Sequence, residues 1–271
     1  MDRVKLILAF SFICILLLAC NFSAKSIQTQ ESAATQPILL TPTDQTGISY
    51  SKDNINLIIP EDLATGASAI TTVDVEYPYI NPSSGDMPSH TVIQLDGYRL
   101  LRSARILVYK AVEYAGYTSK TAEIITDLQN LPPDAGQPFP EALTTTFYAQ
   151  SISLNSATTH GIRYLTQVMD AFVTINNEDL FYYYQGLTND GQYYIEAILP
   201  VNSGFLPLDN SMNAVLPPEG IPFPFDNLGD IDSRNTYYDA VKNKLNATAQ
   251  FDFQPALEIL DSLVKSISIR P

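Results

Sequence analysis

Apolar positions open the chain as one unbroken run, Leu6 to Ala19, and then break into short segments with two different periods. Ile55-Asn56-Leu57-Ile58-Ile59, stopped by Pro60, predicts a strand. Ile70 to Tyr77 alternates and is rich in β-branched residues, as a half-buried strand is. The turn cluster Asn81 to Asp86 leads into a further strand over Thr91–Leu95. Arg105 to Tyr109 suits a strand, while Leu100 to Tyr114 suits a helix equally well, and period does not separate them. Thr118 or Ser119 supplies an N-cap for a helix to about Leu131, with Ile124, Ile125 and Leu128 on its apolar face and Pro132-Pro133 as its stop.

Strands follow over Thr145–Leu154 and Gly161–Met169. The clearest hairpin joins Leu180–Gln185 to Gln192–Leu199 through a loop ending in Asp190-Gly191, with Tyr193, Ile195, Ala197 and Leu199 on one face. Two helices are predicted to close the chain. One covers Thr236–Ala249; the other starts at Pro255 and places Leu257, Leu260, Val264 and Ile267 at helical spacing, before a possible edge strand at Ser266–Arg270.

The segment 200–235 fits neither period. Pro200, Pro207, Pro217, Pro218, Pro222 and Pro224 punctuate it around Phe223 and Phe225. Irregular segments above about 12–15 residues are uncommon, so this one is expected to be functional or a packed wrap. No internal repeat or linker interrupts 48–271, which predicts a single α+β domain, a mostly antiparallel sheet packed with helices.

The opening run is a different matter. Its fourteen residues would span about 21 Å as a helix, short of the roughly 30 Å hydrocarbon core. With Arg3 and Lys5 before it, the run suits a signal-peptide h-region. Leu17-Leu18-Ala19-Cys20 then resembles the lipobox of bacterial lipoproteins. That resemblance implies a signal peptide over 1–19, an acylated Cys20 at the mature N-terminus and attachment to the bacterial cell membrane or outer membrane. An ordinary cleaved signal peptide or an uncleaved anchor are the alternatives. Residues 20–47, rich in Ser, Thr, Gln and Ala, are expected to act as a flexible tether. Asn21 in place of Asp after the cysteine favours outer-membrane sorting, if the cell has two membranes.

Composition narrows the partners. The 271 residues have a formal net charge of −14, with 45% hydrophobic residues, so a disordered acidic chain is excluded and nucleic acid is disfavoured. The chain has two cysteines. With Cys14 removed and Cys20 acylated, the mature domain would contain neither a disulfide nor a thiol nucleophile.

Phe253, Pro255, Leu260-Asp261 and Val264-Lys265-Ser266-Ile267, following a Tyr-rich hairpin, are similar in pattern to the PsbP/Mog1-like sandwiches. The likeness covers about the last ninety residues and implies antiparallel sheets flanked by helices. Members of that group mostly bind partners or assist assembly, and the pattern transfers no catalytic residue.

The search for chemistry yields few candidates and no cofactor motif. His90 and His160 are the only histidines, in no metal-spaced pair, and Gly-x-Ser-x-Gly is absent. Either histidine could serve an envelope hydrolase. Glu178, Asp179 and Glu196 are candidate paired carboxylates, with solvated acids as the simpler account. Asp226, Asp230 and Asp232 give an oxygen-rich stretch that suits a cation but fails the EF-hand pattern at Arg234. Tyr182, Tyr184 and Tyr194 could expose a binding surface on the hairpin; cross-strand packing in the core is the alternative. The sequence therefore points to a lipid-anchored envelope protein that binds or helps assemble an envelope protein or polymer. An envelope hydrolase and a solute- or cation-binding lipoprotein are the alternatives.

Overall fold

Alternation and punctuation produce most of the expected elements. The computed structural model describes residues 46–74, 87–132, 147–169 and 171–270. The lipobox, the tether up to residue 45, the turn cluster 81–86 and the outer parts of the strands expected at 70–77 and 145–154 lie outside the described residues. Strands β1 (Gly47–Lys52) and β2 (Ile55–Pro60) form a hairpin, to which β10 (Ser268–Ile269) adds through Asn56 and Ile55. This is a small three-stranded antiparallel sheet with order β1-β2-β10. It joins the start of the described chain to its end.

The large sheet contains β3 (Gly66–Thr72), β4 (His90–Asp96), β5 (Arg105–Lys110), β6 (Ala149–Asn155), β7 (Thr159–Thr166), β8 (Phe181–Thr188) and β9 (Tyr193–Pro200). Its seven strands run antiparallel in the order β3-β4-β5-β9-β8-β7-β6. The four helices are α1 (Ala111–Ala115), α2 (Ser119–Gln129), α3 (Ile231–Ala247) and α4 (Leu257–Lys265). With two antiparallel sheets and these helices, the fold is α+β.

Both faces of the large sheet are covered, and this fixes the character of its central strands. On one face Ile93, Ile106, Val108, Tyr182, Ile195 and Leu199 pack with Leu57 and Ile59 of β2, Val241 and Leu245 of α3, and Leu257 and Leu260 of α4. On the other, Leu107, Tyr109, Tyr183, Leu187, Tyr194 and Ile198 pack with Tyr114 of α1 and Ile124, Ile125 and Leu128 of α2. A strand covered twice has no polar side, so its sequence need not alternate.

That explains the ambiguity at 100–114. The segment is a strand followed directly by the short helix α1, and β5 lies between β4 and β9 with Ile106, Leu107, Val108 and Tyr109 all buried. Elsewhere caps set the boundaries. Asp230 accepts from the backbone N–H groups of Asp232 and Ser233, so α3 starts at Ile231, five residues before the predicted start. Ile267, spaced as a helical residue, lies beyond α4, because the chain turns at Ser266 to pair as β10.

Helix α2 begins where predicted. Thr118 accepts from the Thr121 N–H at 3.1 Å, and the Thr118 N–H donates to Thr121 Oγ1 at 2.9 Å, a reciprocal box. Thr118→Ala is expected to cost about 1 kcal/mol of stability, read as a lower urea midpoint with an unchanged slope. An unchanged midpoint would show that the box contributes nothing.

Candidate functional site

The Pro-rich segment follows β9 as an ordered wrap. Prolines lack the N–H a ladder needs, so the chain leaves the sheet at Pro200 and is held by side chains and by backbone bonds outside the sheet. Asn202 exchanges backbone hydrogen bonds with Gln254 at 2.8 and 3.0 Å. The Asn177 amide accepts from the Ser203 N–H at 2.8 Å and donates to the Ser203 and Leu206 carbonyls at 3.1 and 3.0 Å. The Arg102 guanidinium donates to the carbonyls of Asn177, Glu178 (2.7 Å) and Val201 (3.3 Å), and to Asn202 Oδ1 at 2.8 Å. Phe205 and Leu206 are buried. The base of the wrap is therefore fixed to the domain by Arg102, Asn177, two apolar anchors and backbone bonds from Gln254, Asn177 and Glu178.

Beyond Pro207 the segment forms an open apolar concavity of about 190 Å³, with Pro207, Met212, Leu216, Ile221, Phe223 and Phe225 among its lining residues. Its floor is packed. The Phe223 ring meets those of Phe225 and Tyr237 edge-on, each at 4.9 Å between centroids. Its lip is exposed at Met212, 74% accessible, and Leu208 and Val215, each next in sequence to a lining residue, are 71% and 85% accessible. At Gly220 an added Cβ would stand 2.4 Å from Leu216 Cδ1 and 3.0 Å from the Phe205 carbonyl oxygen, so a residue without Cβ lets the loop close over Leu216. Asp209, Glu219 and Asp226 lie within two residues of the lining side chains, and Lys244 pairs with Glu219 at 3.3 Å.

A second concavity, of about 210 Å³, has Arg102, Arg105, Glu178 and Asp179 among its lining residues, beside Leu180, Phe181 and Ile198. Arg102 is committed to the wrap there.

The tyrosines singled out from sequence do not form a surface. Tyr182, Tyr184 and Tyr194 are fully buried, the first two on one face of the large sheet and the third on the other. The expectation of an exposed tyrosine patch is corrected by the double covering of β8 and β9. The Tyr182 hydroxyl donates to Asp261 Oδ1 at 2.9 Å. Burial pushes all three phenols above their ordinary pKa.

Beneath α1 lies a cluster that sequence reasoning missed. Glu196, fully buried on β9, receives the hydroxyls of Tyr194, Tyr183 and Tyr114 on Oε1 at 2.7, 2.9 and 3.2 Å. Gln185, opposite Glu196 in the β8–β9 register, donates to the Tyr194 hydroxyl at 2.9 Å. The available signal was the i, i+2 spacing of Tyr194 and Glu196, which puts them on one face. Glu178 and Asp179 precede β8 and are not gathered with Glu196. Asp179 accepts from the Asn176 amide at 2.9 Å.

The histidines stand apart. His90 opens β4, is 2% accessible, and stacks on Tyr109 at 4.5 Å, with Nδ1 2.8 Å from the Pro88 carbonyl. His160 lies on β7, with Nδ1 3.1 Å from Asn189 Oδ1 and Nε2 3.3 Å from the Leu128 carbonyl. Three strands separate β4 from β7 in the sheet.

Asp230 serves as the N-cap of α3, and its bonds to the Ser233 hydroxyl and nearby backbone hold its pKa below the ordinary range. Asp226 lies in the short 3-10 turn before α3, and Asp232 in the first turn of α3. Among the described residues no group of three or more His, Cys, Asp or Glu is placed to hold a metal ion, and no helix is long and apolar enough to cross a membrane. No family model, curated protein or solved structure matches the chain.

Proposed function

We propose that this is a lipid-anchored bacterial envelope protein acting as a non-enzymatic binding or assembly module, with the Pro-rich wrap as its contact surface. The observation that carries the binding reading is the exposed apolar lip over a packed aromatic floor, on a segment fixed to the domain by Arg102 and Asn177. An exposed apolar concavity on an otherwise acidic surface is how protein contact sites commonly present themselves. The lipobox pattern ending at Cys20 supports the anchor. The Tyr-rich hairpin and closing helix support likening the domain to PsbP/Mog1-like sandwiches, whose members mostly bind partners. His90 under Tyr109 and His160 between Asn189 and Leu128 are parts of the packing, so a hydrolase built on either would have to disturb that packing.

The test uses the full chain in its native envelope, with a photo-crosslinking residue at Met212 or, as a control on α1, at the 78% exposed Val112. Wild-type protein is expected to fractionate with membranes and to capture one dominant partner from Met212 but not from Val112. Cys20→Ala is expected to move the protein to the soluble fraction and to abolish capture. Equal capture from both positions, or membrane association that survives Cys20→Ala, would overturn the corresponding half of the proposal.

A further inference from the structure

Resting on that binding reading, we infer that the occupant of the Pro-rich groove is a cationic amphipathic peptide segment, carrying apolar side chains on one face and Lys or Arg on the other.

The concavity is small. About 190 Å³ is below the roughly 300–1,000 Å³ typical of small-molecule pockets. The groove therefore takes single side chains projecting from a chain that lies along its lip. Met212 and Leu216 at the lip and Phe225 beside the floor offer such side chains apolar contact. Met212 can adjust its shape to a guest, whereas the prolines around it limit the ordering cost.

The mode of contact follows from the same prolines. Six of them between 200 and 224 remove donors from the backbone, so strand addition is disfavoured. An amphipathic helix laid along the lip needs no backbone partner from the groove.

Charge sets the sign of the guest. Residues 201–233 contain Asp209, Glu219, Asp226, Asp230 and Asp232, and no Lys or Arg. Lys244 pairs with Glu219 and Arg234 acts on Asp230, which leaves Asp209 and Asp226, each within two residues of a lining side chain, as the acids beside the groove. The chain as a whole has a net charge of −14. An acidic segment or an anionic bilayer would be repelled as it approached, while a basic one is attracted and oriented.

The test titrates the full-length protein into a short, dye-labelled peptide of Leu and Lys in amphipathic helical register, followed by fluorescence anisotropy. A Leu/Glu peptide of the same register, a Ser/Lys peptide and phosphatidylglycerol vesicles are the comparison probes. Saturable binding of the Leu/Lys peptide alone is expected. Met212→Asp and Leu216→Asp should each weaken it about tenfold, and Val112→Asp should not. Asp209→Asn with Asp226→Asn should weaken it severalfold and flatten its salt dependence.

Unchanged melting temperatures for these exposed substitutions would show that the fold is kept. Equal binding of the Leu/Glu or Ser/Lys peptide, indifference to Met212→Asp, or Met212-dependent binding of the vesicles would each overturn the inference. Loss of peptide binding with partner capture at Met212 intact would sink this choice of occupant alone. Loss of both would sink the binding reading beneath it.

Discussion

Replacing Asp261 with alanine is expected to destabilise the protein by about 3–5 kcal/mol, because it strands a buried guanidinium. Arg163 on β7 is wholly inaccessible, and its Nε lies 3.1 Å from Asp261 Oδ1 on α4. The same carboxylate oxygen accepts the Tyr182 hydroxyl at 2.9 Å. Arg163 Nη1 also donates to the carbonyl of Gln150, which sits at φ +55° beside the register shift in β6. The Gln150 amide in turn donates to the Leu245 and Thr248 carbonyls at 2.8 Å each, at the C-terminus of α3. One buried ion pair thus ties together β6, β7, β8, α3 and α4.

Removing Asp261 leaves the positive charge in a low dielectric without its counter-ion. Removing both charges does not. Arg163→Met combined with Asp261→Leu is expected to recover most of the loss, since a well-packed apolar pair often replaces a buried ion pair at little cost. Tyr182→Phe should cost about 1.5–3 kcal/mol, the usual range for a hydrogen bond to a charged group. Urea midpoints measure all three. If Asp261→Ala were no less stable than wild type, the pair would not be buried as described.

The second large effect is an alkaline transition. Tyr98, Tyr164, Tyr182, Tyr184, Tyr194 and Tyr237 all have pKa values raised above the ordinary phenol value, chiefly by burial. The ordinary value is about 10. Below it both folded and unfolded chains keep these protons, and the stabilisation is fully present. Above it the unfolded chain releases them while the folded chain holds them, so stability falls as pH rises toward the raised values.

Each such group contributes a slope of about 1.4 kcal/mol per pH unit, and with several acting together a domain stable by about 5–15 kcal/mol gives way soon after pH 10. Because the chain has no Trp, tyrosinate absorbance near 295 nm reports on tyrosine alone. Tyr98, Tyr164 and the other buried phenols should keep their protons while the circular dichroism is unchanged. They should then ionise in a step that coincides with unfolding. A single titration centred near pH 10 with the circular dichroism preserved would contradict the burial.

How legible each part was depended on where its neighbours came from. Helix α2 was legible with its cap and stop because Thr118, the apolar positions Ile124, Ile125 and Leu128, and Pro132 act within a few residues of one another. The β8–β9 hairpin was legible for the same reason, through Asp190-Gly191 and the alternation from Tyr193 to Leu199. The β5–α1 boundary was not, because Ile106 to Tyr109 is buried on both sides and carries no period. The candidate site was legible only as an irregular segment marked by proline. That Met212 would line a groove over Phe223 depends on α3, whose Tyr237 supports Phe223 from outside the segment.

Residue order alone therefore determined the α+β class, the cap of α2, the hairpin, the refusal of 201–224 to join a strand ladder, and the acidic balance, since each follows from local period, backbone chemistry or simple charge. It did not determine which side chains meet water. Tyr182 bonds Asp261 of α4, Tyr194 stacks on Tyr114 of α1, and β2 pairs with a strand at the far end of the chain. Burial is a property of the covering layer as much as of the residue covered. Here those layers were brought together by contacts between residues far apart in sequence, which no local pattern encodes.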